Sequence, residues 1–288
     1  MKQLSMKNRK SMTGFMFILP WVIGFLLFTA VPLSYSLYLS FQDVRITPAG
    51  IQTTFISFEN YEYAFGMDAL FTQKLLIFFR EIVVSVPIII VFSLIIALLL
   101  NQKVRFRMFF RTVFFLPVII ISGPVIHELM DQGVTSIPSI EEYAVFQTLL
   151  SSGEGFLAAT VIYLMQNLIM ILWFSGVQIL IFLAALQKID DKIYEAAKID
   201  GASNWECFWK VTLPSLFPMI IVNLIYTIVT YSIFSLNPVI EHIQDNMFRT
   251  DTGFGYASAL SWIYFLLITI ILFISVLLIS LRGRKKYA

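Results

Sequence analysis

The chain has 288 residues, 58% of them hydrophobic and 13% charged, with a net charge of +2, about half the charged share of a soluble globular domain. This balance excludes a water-soluble fold and indicates an integral membrane protein. A single cysteine, Cys207, excludes an internal disulfide or a Cys-rich metal site, and without a basic helix face or RNA-binding aromatic pattern nucleic acid is not an expected partner.

No residue between Lys10 and Asp43 is charged, a run longer than the roughly 20 residues that cross a bilayer core. It predicts a first span over 13–37. A cleaved signal peptide is the rival, but the run is too long and its small-x-small pair, Ser34 and Ser36, lies beyond Pro32. Residues 41–80 are mixed and polar, and read as an external loop with a short interfacial helix. A second span, 82–102, is uncharged and ends on Lys103, Arg105, Arg107 and Arg111. The third, 109–129, is broken by Pro117, Gly123 and Pro124, as membrane helices tolerate when freed carbonyls find other partners. Residues 131–155 hold acids but no Lys or Arg, and a fourth span follows over 156–186. A charged island at 189–214 precedes the fifth span, 216–236. The polar loop 237–252 leads to the sixth, 257–281, and the chain closes on Arg282, Arg284, Lys285 and Lys286.

An even number of spans puts both termini on one side. Of the 20 Lys and Arg, 16 fall at the termini, in the second-to-third connection, and in the island or, for Lys188, directly before it. The positive-inside rule therefore places termini and island in the cytoplasm. With no internal repeat, residues 1–288 read as one transmembrane domain. The span cores carry no Lys, Arg, Asp or Glu, which argues against a proton-coupled carrier or a charged ion filter and favours a neutral solute. His127 and His242 lie far apart without ligand spacing, so no metal is expected.

The island reads as helix, glycine turn, helix. Asp190 or Asp191 suits a first N-cap, and Gly201 can take the positive φ that ends a helix. Ser203 with Glu206 is a capping-box pair, and Pro214 fits the first turn of the next apolar helix.

Glu195-Ala196-Ala197, three residues, Gly201, nine residues and Val211-Thr212-Leu213-Pro214 resemble the EAA loop of ABC importer permeases, with Val211 where the pattern has Ile. Arg111-Thr112-Val113-Phe114-Phe115-Leu116-Pro117, Phe182 to Gln187, Tyr194 to Ser203, and Phe254 to Leu260 look like the carbohydrate-uptake, maltose-type branch. The likeness covers most of the chain from about residue 80, plus the first span. Asp191 stands where a proline often opens the island, the usual Gly-Gly-Gly-Pro element between the last two spans is absent, and 131–158 departs from the pattern.

The resemblance implies an all-α type I importer permease with six transmembrane helices, lying in the bacterial cytoplasmic membrane among lipid. It would not be an enzyme. Its implied partners are a second homologous permease, two ATPase subunits that bind ATP and Mg, an extracytoplasmic solute-binding protein, and a sugar moved by alternating access. No cofactor is implied in this chain, which lacks a Gly-x4-Gly-Lys-Ser/Thr phosphate loop. Glu195, Ala196, Ala197, Asp200, Gly201, Ala202, Leu213 and Pro214 would couple to the ATPase, the alanines as a low-profile face and Glu195 as partner to a cation. Trp205, Phe208 and Trp209 also suit interfacial anchors of a loop lying on the membrane.

For the solute path, Asn167, Ile171, Phe174 and Gln178 share one helical stripe, as do Asn223, Tyr226, Thr227, Thr230 and Phe234. Amides and hydroxyls beside aromatic rings suit a sugar, although such residues also serve as interhelical hydrogen bonds. Competing readings are a permease of this type for a non-sugar solute, and a stand-alone carrier or receptor.

Overall fold

The computed structural model describes residues 6–47, 50–102, 109, 112–113, 128, 168–234, 237–249 and 252–287. The expected third span, the segment 131–155 and the first part of the fourth span, including Asn167, lie largely or wholly outside these residues. In chain order the elements are α1 (Met6–Phe25), a π-helical turn (Leu26–Ala30), α2 (Val31–Leu39), β1 (Gln42–Thr47), β2 (Gly50–Phe55), α3 (Glu59–Gly66), α4 (Ala69–Asn101), α5 (Leu168–Leu186), α6 (Asp191–Ile199), α7 (Asn204–Cys207), a second π-helical turn (Phe208–Thr212), α8 (Leu213–Ser232), α9 (Pro238–Met247) and α10 (Gly253–Tyr287).

Among the described residues four helical stretches are long and apolar enough to span a membrane: Met12–Leu39, Ala69–Asn101, Asn204–Ser232 and Gly253–Leu281. A fifth candidate is α5 together with α6, bent by 64° at the break between them. At 33 residues α4 is about 50 Å long, well beyond a hydrocarbon core of about 30 Å. The helix therefore begins at Ala69, within the stretch that its polar composition marks as loop.

The chain forms two compact units, residues 1–75 with 239–266, and residues 76–238 with 267–288. In the first, β1 and β2 pair antiparallel from Gln42 opposite Phe55 to Thr47 opposite Gly50. Among the described residues this hairpin holds the only strands, in a stretch expected to be loop. The β-branched runs on either side of Pro48-Ala49-Gly50 carry its signal. Along β1 the Gln42 and Val44 side chains are buried, the alternation a half-covered strand requires. Asn60 Nδ2 donates to the Ser40 and Gln42 carbonyls at 2.9 and 3.0 Å, tying α3 to the start of the hairpin.

The N-terminus of α10 packs against the β1 backbone. A Cβ at Gly255 would stand 1.9 Å from the Gln42 carbonyl oxygen and 3.3 Å from that of Leu39. Glycine is required there because there is no room for anything else.

The second unit is built on the packing of α5 against α8. Ile89 of α4 forms a buried cluster with Ile171 and Phe174, flanked by Tyr231 and Phe234. Ser93 and Ser175 are fully buried, and Ser93 Oγ donates to the Ser175 carbonyl at 3.4 Å. Small residues of this kind let membrane helices approach closely.

Candidate functional site

The island folds from purely local signals. Asp190 is the residue that caps α6, its carboxylate accepting from the Lys192 N–H at 3.0 Å. The helix ends on Gly201 at φ +82°, with the Gly201 N–H donating to the Lys198 carbonyl and the Ala202 N–H to that of Ala197 at 3.0 and 2.9 Å. These two bonds are a complete Schellman closure. Ser203 then opens α7. Its N–H donates to Glu206 Oε2 at 3.0 Å, and the Glu206 N–H donates back to Ser203 Oγ at 3.3 Å, a closed capping box. Lys210 Nζ lies 3.2 Å from Glu206 Oε1 one turn on. Pro214 sits in the first turn of α8, and the widened turn Phe208–Thr212 stands just before it. A proline has no N–H for the carbonyl four residues back, which explains a register break at this point.

The helix has two distinct faces. Glu195, Ala196 and Ile199 are exposed and lie on one side of α6, Ile199 at 85% of its full surface. Tyr194 and Ala197 point the other way and are half-buried. The two alanines of the motif thus separate, one facing outward and one packing inward. Asp200 and Gly201 are exposed at the turn, while Ala202, Leu213 and Pro214 are half-buried. Gly201 has nothing within 4 Å of where a Cβ would stand, so its requirement is conformational and no clash contributes. Trp205, Phe208 and Trp209 form a ring cluster with centroids 5.1 to 6.2 Å apart. Trp205 keeps 69% of its surface and Trp209 43%, so the tip presents contiguous apolar surface, the kind that marks a binding face.

Of the pathway residues, Phe174, Gln178, Asn223 and Thr227 are all buried, in the seam between α5 and α8. Gln178 Nε2 donates to Thr227 Oγ1 at 3.0 Å, Thr227 Oγ1 to the Asn223 carbonyl at 2.7 Å, and Asn223 Nδ2 to the Gln178 carbonyl at 3.4 Å. The Gln178 Oε1 and Asn223 Oδ1 oxygens find no donor. Tyr226 lies on another face, 37% exposed, and Thr230 is half-buried. Three members of the two stripes therefore meet one another as interhelical glue, and Tyr226 does not join them.

A second polar cluster escaped the sequence reading. In the first unit Asp68 Oδ2 accepts from His242 Nε2 at 2.8 Å and from the Tyr256 hydroxyl at 2.7 Å, while Oδ1 caps α4 through the Phe71 N–H at 2.9 Å. Burial pushes the Asp68 carboxyl up, but the bonds from His242, the Phe71 N–H and Tyr256, with the His242 field, outweigh it and hold the group below the ordinary carboxylate value. The legible part was Asp68 as an N-cap one residue before α4. Among the described residues no three His, Cys, Asp or Glu side chains converge on a metal position.

Several bilayer-length helices, joined by an amphipathic helix pair with an exposed apolar tip, define a polytopic α-helical membrane protein. Residues 69–284 match the family model for the binding-protein-dependent transport system inner membrane component, and the chain belongs to that family. The lactose transport system permease protein LacF of Rhizobium radiobacter is 31% identical, over 94% of this chain and 95% of its own. The probable ABC transporter permease protein YesP of Bacillus subtilis is 30% identical over 95% and 93%. The arabinooligosaccharides transport system permease protein AraP of Halalkalibacterium halodurans is 30% identical over 97% and 90%. Among solved structures, a chain of a bacterial alginate ABC transporter, in complex with an alginate pentasaccharide-bound periplasmic protein, superimposes with a TM-score of 0.61 at 19% identity. It covers 99% of this chain and 98% of that one. The fold is that of an ABC importer permease.

Proposed function

We propose that the chain is the permease subunit of an ATP-driven importer for a sugar or oligosaccharide. The observation that carries this reading is the α6–α7 pair, locally capped at both ends of α6 and at the start of α7, with Glu195, Ala196 and Ile199 on an exposed face. A stiff helix with a low-profile outward face suits a cleft on a soluble ATPase. Glu195 is placed to meet a cation there, where removing one member of a partly buried pair strands the other. Asp200, Gly201 and Ala202 hold the turn, and Leu213 and Pro214 join it to α8. ATP and Mg belong to two such ATPase subunits. A second permease completes the membrane path, and an extracytoplasmic binding protein delivers the solute. The excess of Lys and Arg beside the island and the termini supports a cytoplasmic location for both. ATP binding would favour one of two arrangements of the paired spans, giving alternating access.

The sugar assignment is supported by the named substrates of LacF and AraP and by the carbohydrate-branch words. Phe174, Gln178, Asn223 and Thr227 contribute to the path through the seam they hold together, with Tyr226 and Thr230 at its more open side; Asn167 is assigned to it from its stripe alone.

A mild-detergent pull-down of the tagged chain from its native membrane, followed by mass spectrometry, tests the assembly. The expected companions are an ATPase, a second permease and a binding protein whose bound ligand is a sugar. Recovery of the chain alone, under conditions that preserve a control transporter, would overturn the reading. So would a binding protein holding a peptide or ion, for the sugar part.

A further inference from the structure

The island meets its two flanking spans differently. On the α5 side α6 turns away by 64° after a short break made of the exposed residues Gln187 and Lys188, half-buried Ile189 and exposed Asp190. On the other side α7, the π-helical turn and α8 continue as one helix, Asn204–Ser232. The Tyr194 hydroxyl of α6 lies 2.9 Å from Thr212 Oγ1 at the root of α8, across 18 residues of sequence. Thr212 is 6% exposed, its Oγ1 also lies 3.4 Å from the Cys207 carbonyl, and either hydroxyl can donate in the Tyr194–Thr212 bond. A part-buried bond across 18 residues adds a second tie between α6 and the root of α8, beside the covalent route through the Gly201 turn and α7.

Building on the coupling reading above, we infer that the Tyr194–Thr212 bond is the strut that locks the coupling helix to α8, so that α8 is the span the ATPase drives. Tyr194 and Thr212 are positioning residues: neither is on the exposed face of α6. The half-buried inward face of α6 is held to α8, and a push on Glu195 or Ile199 reaches the root of α8 without passing through the bent α5 junction. The widened turn at Phe208–Thr212 brings the Thr212 side chain into the seam where Tyr194 meets it.

The test uses the whole complex, purified through this chain and placed in phospholipid vesicles. Ile233, at the end of α8 and 68% exposed, is replaced by Cys and carries a nitroxide, with Cys207→Ala and cysteine-free partner subunits leaving a single thiol. Adding Mg-ATP should change the nitroxide spectrum in this background. Tyr194→Phe or Thr212→Val should shrink the change about fivefold, the bias that one ordinary hydrogen bond gives a two-state equilibrium. The ATPase subunits should still co-purify in full ratio, and the double variant should match either single one. The strut is overturned if Mg-ATP leaves the background spectrum unmoved, if both variants respond in full, or if their losses multiply in the double variant. Glu195→Ala separates the two levels. A full spectral response there would overturn the coupling reading itself, whereas a lost response beside normal Tyr194 and Thr212 variants would sink the strut alone.

Discussion

The island at 189–214 and the Asp68 cluster are both polar structures in an apolar chain, and they are built in opposite ways. Every cap in the island is made between residues within five positions of one another, as in Asp190 with Lys192 and Ser203 with Glu206, and its outward face stays exposed. Asp68 instead gathers His242 and Tyr256 from 174 and 188 residues away and is nearly closed off. A local polar structure can keep its shape while its face is free to bind. A long-range one fixes elements against each other and has little left to offer a partner.

The two glycine positions give the sharpest test of this difference. Gly255 is helical, and its notional Cβ meets the fixed backbone oxygen of Gln42 at 1.9 Å. Gly255→Ala should cost about 3 kcal/mol, at the upper end of overpacking, and should be read as a lowered thermal midpoint in detergent. Gly201 has open space but φ +82°; Gly201→Ala should cost about 1 kcal/mol and leave the fold intact with reduced uptake. Asparagine reverses the ranking. It tolerates the left-handed region, so Gly201→Asn should be milder than alanine, while Gly255→Asn should be worse. Equal behaviour of the two sites would remove the distinction between crowding and conformation.

Between these lies Asp68→Ala. It removes the α4 cap and leaves the His242 ring and Tyr256 hydroxyl without their acceptor, a loss of about 2–3 kcal/mol. Because the damage is confined to the first unit, co-purification of the ATPase should persist while hydrogen exchange in 239–260 accelerates. Unchanged exchange there would show that the cluster holds nothing.

What the sequence made legible follows the same line. Both caps of the island, the positive φ at Gly201 and the place of Pro214 were readable because each depends on neighbours a few residues away. The division of Ala196 from Ala197 was not, since it depends on Tyr194 finding Thr212. The charge-free runs announced long helices, but composition could not say that α4 starts at Ala69, because a helix may project beyond the lipid with polar residues on it. The stripes of Gln178 and of Asn223 with Thr227 were visible as helical faces. That they face each other across α5 and α8 is a matter of packing, which one sequence does not contain. The Gly255 contact with β1 is hidden twice, first by distance in the chain and then because the polar composition of 41–80 reads as loop.

The smallest expected effect is on pH dependence, and it separates the two regions again. With its pKa held below the ordinary carboxylate value in the folded protein, Asp68 contributes stability that is fully present above the unfolded pKa of about 3.9. As pH falls from there through the lower folded value, the proton is taken up more readily by the unfolded chain and the contribution disappears. The difference in unfolding midpoint between wild type and Asp68→Asn, followed from about pH 5 to about pH 3, should therefore shrink below about pH 4, following the linkage relation. Gly201→Ala carries no titrating group, so its difference from wild type should stay level over the same range. An Asp68→Asn difference that is constant down to pH 3 would mean that the carboxylate charge is not what His242 and Tyr256 are bound to, and the cluster would then rest on neutral hydrogen bonds alone.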